Sequence, residues 1–383
     1  MEWITSLKAL GTGYVVPFLI VLTVVVFVHE FGHYLVARLC GVRVTAFSLG
    51  FGKAWIKRRD KHGTSWQIGW LPLGGYVKMF GDSDPASSGP SPEAAETLTP
   101  EERKVAFFAQ PVVRRAAIVV AGPLVNYLFA FVVLAGLFWS HGQPFAPPVI
   151  ATVQEGSAAE QSGLLPGDVV VALDGTTARS FEDIRRTAAL NVGTPLVLEI
   201  LREGAPRTIT VTPKVVIMKD VFGGEHTTGR LGVASGNVVY RSLSGGQSLV
   251  EAAHECWTLT TGTLRGVGQM IIGMRGTDEL GGPLRIAEMS GKVAQEGFAA
   301  LAWFTALLSL NLGLINLFPI PLLDGGHLFF YLIEAVRRRP LGARAQEIGA
   351  NIGLALVVSL MVLATWNDLV HLRIVAYVRG LFS

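Results

Sequence analysis

Two histidines and a glutamate interrupt an apolar stretch near the start of the chain. Residues 14–28 contain no charged side chain, then His29, Glu30 and His33 follow, and the apolar sequence continues to Ala37. Ionisable side chains are costly at the centre of a bilayer, so three of them this close together require a compensating partner such as a metal ion. The sequence therefore predicts a zinc site within the membrane.

The spacing of these residues supplies a geometry for metal binding. His29 and His33 are four residues apart, which on a helix places their Cβ atoms on one face, roughly 5–6 Å apart. Two such imidazoles can bind one ion at about 2.0–2.1 Å. Glu30 is rotated by about 100° around the helix and can reach a water molecule beside the metal. Surface histidines of a soluble helix are the alternative, but lipid offers them no hydrogen bonds.

A catalytic zinc site usually has three protein ligands, so one ligand is still missing. The ionisable candidates near the later apolar segments are Asp324, His327, Glu334, Asp368 and His371. We favour Asp324, because Pro319 and Pro321 break the preceding helix and Gly325 and Gly326 free the backbone, so that the carboxylate can turn back toward the histidines. The alternative is a polar turn that ends a helix at the membrane surface.

The composition is that of a membrane protein. Half of the residues are hydrophobic, 16% are charged, and the mean hydropathy is +0.45. Four apolar segments, uncharged apart from the motif, reach the roughly 20 residues needed to cross the hydrocarbon core. They are residues 14–37, 116–140, 297–323 and 348–367. A weaker segment, residues 256–274, is split by Arg265, and we expect it to form an amphipathic helix on the membrane surface.

Positive charges predict the orientation in the membrane. Residues 38–115 contain twelve lysines and arginines, and a second cluster, residues 337–344, lies between the last two apolar segments. Because such loops stay in the cytoplasm, both termini and the segment between the second and third spans are expected on the opposite side of the membrane. The histidine motif then lies roughly 13 Å inside the cytoplasmic boundary. These charges indicate topology, and we expect no nucleic-acid partner.

The segment between the first two spans favours a membrane-associated β-hairpin. Residues 44–52 and 65–79 carry β-branched and aromatic side chains punctuated by glycine, and Trp66, Trp70 and Tyr76 suit a membrane interface. An exposed edge of such a hairpin could accept an unwound substrate as an added strand. A soluble cytoplasmic hairpin is the alternative. Residues 82–99, rich in serine, proline, alanine and glutamate, predict a flexible loop.

The exported segment contains the pattern of a small mixed α/β module. Residues 156–168 predict a short helix and a Pro-Gly turn, residues 169–175 a strand and an Asp-Gly turn, and residues 181–190 a second helix. Residues 196–201 and 208–211 predict a hairpin. We interpret this module as a PDZ domain, which can capture an extended peptide by strand addition. Alternatively, it only excludes bulky substrates.

Taken together, these motifs resemble the site-2 protease family of intramembrane zinc metalloproteases, and within it the bacterial RseP-like members. The matching residues are 29–33 (HEFGH), 122–126 (GPLVN) and 323–325 (LDG), with further matches at 47–52 (FSLGFG), 72–79 (PLGGYVKM), 281–284 (GGPL) and 367–368 (ND). The resemblance implies that His29, His33 and Asp324 bind Zn²⁺, that Glu30 is the general base, and that Asn126 binds substrate or contacts the oxyanion. For Asn126, an interhelical hydrogen bond is the alternative.

The expected fold is therefore a four-span α-helical membrane protein with a membrane-associated β-hairpin and an inserted α+β PDZ domain. The expected segments are 1–40 (first span), 41–115 (hairpin and loop), 116–140 (second span), 146–214 (PDZ domain), 215–296 (connector with an amphipathic helix), 297–324 (third span), 325–347 (cytoplasmic loop), 348–372 (fourth span) and 373–383 (tail). Related RseP-like proteins often carry two PDZ domains, whereas this chain shows one clear copy.

The resemblance implies peptide-bond hydrolysis within transmembrane segments of single-span proteins in the bacterial inner membrane. Such substrates would include anti-sigma factors already trimmed outside the membrane and signal-peptide remnants. Two other classes stay open: a catalytically silent, PDZ-bearing membrane adaptor and a transporter. An adaptor would not require Glu30, and a transporter would be expected to show internal repeats, of which none is evident.

Overall fold

The computed structural model describes residues 11–82, 98–219, 225–236, 239–272, 281–339 and 341–371. Most of the loop predicted at 82–99, and the tail predicted at 373–383, lie outside these residues. The chain divides into two compact units. The first contains Met1–Ala135, Glu251–Leu264 and Gly281–Ser383, and the second contains Gly136–Val250 and Arg265–Leu280.

The described helices and strands are named here in chain order. The helices are α1 (Val16–Leu39), α2 (Pro100–Val105), α3 (Val112–His141), α4 (Ala158–Gln161), α5 (Phe181–Leu190), α6 (Gly245–Ile271), α7 (Pro283–Glu296), α8 (Phe298–Asn316), α9 (Asp324–Arg337) and α10 (Ala343–His371). The strands are β1 (Val44–Arg59), β2 (Ser65–Met79), β3 (Gln143–Phe145), β4 (Ile150–Val153), β5 (Val169–Leu173), β6 (Thr176–Thr177), β7 (Leu196–Arg202), β8 (Ala205–Val211), β9 (Lys214–Lys219), β10 (Glu225–Arg230), β11 (Val233–Ser235) and β12 (Val239–Arg241).

Four helices are long and apolar enough to cross a membrane. They cover Gly13–Leu39, Val112–His141, Phe298–Asn316 and Arg344–Val370, which overlap the four predicted segments. Many of their large apolar side chains are exposed, including Ile20, Leu128 and Ile352. In a membrane protein such side chains face lipid. The expectation of four apolar helices of spanning length is therefore confirmed.

The third apolar helix is shorter than predicted. Helix α8 ends at Asn316, not at Leu323, and Asp324 is the first residue of a separate helix, α9. Pro319 cannot continue the helix because it lacks an N–H and its ring clashes with the carbonyl four residues earlier. Leu322 then turns the chain with a φ of +80°. Helix α9 also fills much of the region 325–347 that was predicted as a loop.

The predicted hairpin is present between α1 and α3. Strands β1 and β2 are antiparallel and pair with each other. Because both strands bend, Phe47 of β1 pairs with two different parts of β2, at Trp66 near its start and at Val77 near its end. Phe47 is buried in a cluster with Val44 and Ile118, which ties the hairpin to α3. Close contacts with α1 complete the packing, because a Cβ at Gly75 would lie 2.8 Å from Val26 Cγ1. The hairpin is therefore held against the helix that carries the histidine motif.

The second unit is built on a small antiparallel sheet with strand order β6-β5-β7-β8. Leu196, Leu198 and Ile200 of β7 form its core with Ile184 of α5. Helix α5 has the predicted bounds, and the hairpin β7–β8 lies where it was expected. Strands β11 and β12 pair with β4 and β3, so the unit continues well past residue 214, the predicted end of the PDZ domain.

The connector contains two helices. Helix α6 begins at Gly245, eleven residues before the predicted start at Cys256, because Ser244 and Gln247 form a capping box there. Helix α7 follows from Pro283 and was not predicted. In the first unit, Thr260 of α6 donates a hydrogen bond to Tyr127 of α3 at 3.3 Å. The surface position of the amphipathic helix stays a prediction.

Candidate metal centre

Helix α1 presents both histidines on one face. His29 and His33 are each 8% exposed, and their rings contact each other edge to face with centroids 4.8 Å apart. Gly32 lets α3 approach this part of α1, because a Cβ there would lie 2.5 Å from the carbonyl oxygen of Ala121. Gly122 faces the imidazoles directly, and a side chain at that position would overlap His33 Nε2. Two glycines thus make room for the paired rings.

Asp324 reaches the histidines because of the break between α8 and α9. Gly325 and Gly326 pack so closely on the preceding turn that a Cβ at Gly325 would overlap the carbonyl oxygen of Leu317. This fold-back directs the first residue of α9 toward α1. Asp324 Oδ2 lies 3.2 Å from His29 Nε2 and 3.4 Å from His33 Nε2.

These three atoms form a nearly equilateral triangle. The two Nε2 atoms are 3.3 Å apart, which completes the edges of 3.2 and 3.4 Å. Four ligands arranged as a tetrahedron around zinc, with bonds of 2.0–2.1 Å, are separated by about 3.3–3.4 Å. Asp324 Oδ2 is buried and accepts no hydrogen bond from the described residues despite its two close neighbours. The triangle therefore fits three ligands of one zinc ion.

The outer nitrogens of the imidazoles have their own partners. His33 Nδ1 lies 2.9 Å from the carbonyl oxygen of Ile118. A carbonyl can only accept, so Nδ1 carries the proton and Nε2 is left with the lone pair that a metal needs. His29 Nδ1 lies 3.2 Å from Asn126 Nδ2. Carbonyl and amide groups of α3 thus contact the side of each ring that faces away from Asp324.

Glu30 and Asp324 line one cavity of about 190 Å³. Its wall also includes the β2 residues Tyr76 and Val77 and the α9 residues His327 and Tyr331. The Glu30 side chain is close to the hairpin, since a Cβ at Gly75 would lie 3.0 Å from Glu30 Cγ. The carboxylate of Glu30, the His33 and Asp324 corners of the triangle, and the hairpin therefore border one open space.

The remaining candidate ligands are elsewhere, apart from His327 in the cavity wall. Glu334 forms a largely buried ion pair of 2.6 Å with Arg115. Asp368 is fully buried and accepts hydrogen bonds from backbone amides at the start of α7, including that of Gly282 at 2.8 Å. The side chain of His371 lies outside the described residues.

One polar residue beside the triangle was missed by the sequence interpretation. Asn316, the last residue of α8, has its Nδ2 atom 3.5 Å from His29 Nε2, on the side of the ring that faces Asp324. The available signal was a single uncharged amide at the end of an apolar segment, eight positions before Asp324. The fold and the site together define a class of protein: an α-helical protein with helices of membrane-spanning length and a buried site of two histidines and one carboxylate.

Comparison with known proteins agrees with this class. Residues 17–360 match the model of "Peptidase family M50". The chain therefore belongs to Peptidase family M50. The relative named "Putative zinc metalloprotease Atu1380" from Agrobacterium fabrum is 43% identical over 373 residues, covering 96% of this chain and 99% of the relative. Metalloprotease MmpA from Caulobacter vibrioides is 35% identical over 398 residues, covering 96% of this chain and 98% of the relative.

Solved structures match the chain over a shorter length. The PDZ domain of the SdrC-like protein from Listeria innocua covers 25% of this chain and 99% of that domain, with 16% identity and a TM-score of 0.20. The corresponding PDZ domain from Listeria monocytogenes covers 24% of this chain and 90% of that domain, with 15% identity and a TM-score of 0.19. This similarity is too low to support an argument, and the PDZ domain stays a prediction.

Proposed function

We propose that this zinc metalloprotease hydrolyses peptide bonds within the membrane-spanning segments of single-span proteins. One observation carries the proposal: the buried triangle of His29, His33 and Asp324 has the ligand spacing of a zinc centre, and α1, which supplies two of its corners, has the length and composition of a membrane span. The family membership and the names of the relatives support the reaction class.

His29, His33 and Asp324 would hold the zinc ion. When bound, zinc supplies Lewis-acid chemistry, which polarises a carbonyl group and activates water near neutral pH. Glu30 faces the cavity next to this triangle and does not belong to it. Its carboxylate accepts a proton from the attacking water and returns that proton to the leaving amine. Asn316 lies on the Asp324 side of His29, where its amide N–H can donate to the developing oxyanion.

The substrate must be extended at the cleavage site, because a helix keeps its carbonyls in internal hydrogen bonds. The last part of β2 supplies an edge for such a segment. Gly75 and Val77 pair with Leu49 and Phe47 of β1, and within the described residues the register gives them no partner on the other side. This edge borders the cavity that contains Glu30. An unwound substrate added to β2 would therefore pass along the proposed base.

The proposed location is the inner membrane of a bacterium, with several passes, and with both termini and the second unit on the periplasmic side. The twelve lysines and arginines of residues 38–115 support a cytoplasmic position for the hairpin, and hence a site toward that face. The second unit has a groove lined by Ile184 and Ala188 of α5 and by residues 229–233. This groove would hold the terminus of a trimmed substrate, or the unit would exclude substrates that are still bulky.

Cleavage of a tagged single-span reporter in proteoliposomes tests the proposal. We expect wild type to cut inside the reporter span, and Glu30→Gln to cut 10²–10⁴-fold more slowly, the usual contribution of a general base. Glu101→Gln is the matched control, because it makes the same change on the exposed helix α2. Removal of metal with a chelator should stop wild-type cleavage, and added Zn²⁺ should restore it.

Two outcomes would contradict the proposal. Equal cleavage by wild type and Glu30→Gln would exclude Glu30 as the base, and a cut outside the reporter span would exclude an intramembrane reaction. The adaptor alternative is separated by metal analysis of purified wild type and His29→Ala. An adaptor would contain no stoichiometric zinc, and the His29 substitution would then leave its metal content unchanged.

A further inference from the structure

Asn126 contacts the outer nitrogen of a proposed metal ligand. Its side chain is fully buried, and Nδ2 lies 3.2 Å from His29 Nδ1. The other ring nitrogen, Nε2, is the atom that faces Asp324 and His33. Asn126 Oδ1 is also buried, and among the described residues it has no hydrogen-bond partner. A buried oxygen left unpaired destabilises the structure that contains it.

The metal-binding role of His29 determines where its proton must be. Nε2 can bind zinc only with a free lone pair, so the proton of the neutral ring must be on Nδ1. A protonated Nδ1 needs an acceptor, and at His33 the carbonyl oxygen of Ile118 fills this place. An amide nitrogen cannot do so, because it is itself a donor.

Rotation of the Asn126 amide by 180° supplies the missing acceptor. It exchanges Oδ1 and Nδ2, which have nearly the same size and position. Oδ1 then lies at about the same 3.2 Å separation from His29 Nδ1 and accepts a hydrogen bond from its N–H. The oxygen thereby gains a partner, and Nδ2 takes the buried position in which Oδ1 has no hydrogen-bond partner among the described residues. The ring of His29 is thereby fixed in the tautomer that binds a metal through Nε2.

We propose that Asn126 is a positioning residue that selects the metal-binding tautomer and orientation of His29. This inference rests on the proposed zinc centre. It differs from the predicted contact with substrate or oxyanion, since the amide is on the opposite side of the ring from Asp324. It also differs from an interhelical hydrogen bond of the side chain, because the hydrogen bond between Asn126 and α8 uses its backbone carbonyl oxygen, which accepts from Ser309 Oγ at 3.1 Å.

The zinc affinity of the purified full chain in detergent tests the inference, measured by competition with a chromophoric chelator. Asn126→Leu has a similar volume and no acceptor, and we expect its affinity to be 10–100-fold lower, the usual effect of removing a group that orients a metal ligand. Asn126→Asp keeps an acceptor oxygen, and its affinity should stay within about threefold of wild type. Ser309→Ala is the matched control, because it removes a buried hydrogen bond to the same residue without touching the imidazole.

Wild-type affinity in Asn126→Leu, or equal losses in Asn126→Leu and Asn126→Asp, would overturn the inference. A similar loss in Ser309→Ala would assign the effect to helix packing and also overturn it. If Asn126→Leu loses helical circular dichroism, Asn126→Ala provides the acceptor-free comparison. Failure of the proposed function looks different: wild type itself would then bind no stoichiometric zinc, or Glu30→Gln would cleave the reporter at the wild-type rate.

Discussion

Gly122 is the position at which one added methyl group should damage the metal centre most directly. A Cβ there would lie 2.9 Å from His29 Cε1 and even closer to His33 Nε2. Carbon atoms pack at about 3.5–4.0 Å, so the His29 ring would have to retreat by at least about 0.6 Å, and the His33 ring by more. The edges of the ligand triangle are only 3.2–3.4 Å. Displacements of this size would prevent all three ligands from meeting one ion.

The expected cost of Gly122→Ala follows from these distances. Overpacking a filled site by a methyl group costs about 1–3 kcal/mol, which corresponds to a roughly 5–150-fold loss of zinc affinity. Chelator competition on the purified chain measures this loss. Gly136→Ala on the same helix is the matched control, because a Cβ there meets nothing within 4 Å. It should bind zinc as wild type does and stabilise α3 by about 0.5–1 kcal/mol. Wild-type zinc affinity in Gly122→Ala would refute the reasoning.

Two further predictions concern the hairpin and the second unit. Gly75→Ala should lower the rate of reporter cleavage about tenfold or more and leave the zinc content unchanged, because the new methyl group would lie only 3.0 Å from Glu30 Cγ. Loss of zinc together with activity would count against a local effect on Glu30. Hydrogen bonds from Arg202 hold the pKa of Asp168 below its usual range. The stability that they contribute is therefore present above the pKa of an aspartate in the unfolded chain, about 4, and is lost as the pH falls through the lower pKa of Asp168 in the folded protein. In hydrogen exchange of the full chain, the β7 amides should therefore exchange faster as the pH falls below about 4. Asp168→Asn should remove this pH dependence and lower the stability by about 1–3 kcal/mol at pH 7. An unchanged pH dependence in the variant would contradict the assignment.

The sequence predicted most of the elements that carry the site. The spacing of His29 and His33 is a local helical property, and a local pattern is enough to predict which side chains share a face. The apolar segments predicted four helices of spanning length for the same reason. Asp324 is distant in sequence from the histidines, and it is the prolines and glycines around it that indicate a break able to redirect the chain.

The errors in the prediction have identifiable causes. Counting apolar residues extends the third span to Leu323, although Pro319 disfavours a helical conformation in the residue before it. The basic cluster at residues 337–344 indicates a cytoplasmic segment but does not reveal that helix α9 lies within it. An uncharged amide at a helix end is common, so the sequence does not distinguish Asn316 as a site residue. The contact of Asn126 with His29 could not be predicted, since it depends on the distance between two helices.

Glycine contacts explain how the ligands come together in a membrane. Lipid is as apolar as the side chains, so helices there associate through close packing of small residues. Gly32 packs on the Ala121 backbone, Gly122 on the two imidazoles, and Gly325 on the Leu317 carbonyl. The first two contacts fix α1 against α3, and the third fixes the turn that presents Asp324. Because the same contacts that assemble the helices also set the ligand distances, we infer that the packing of these described residues preorganises the proposed metal centre.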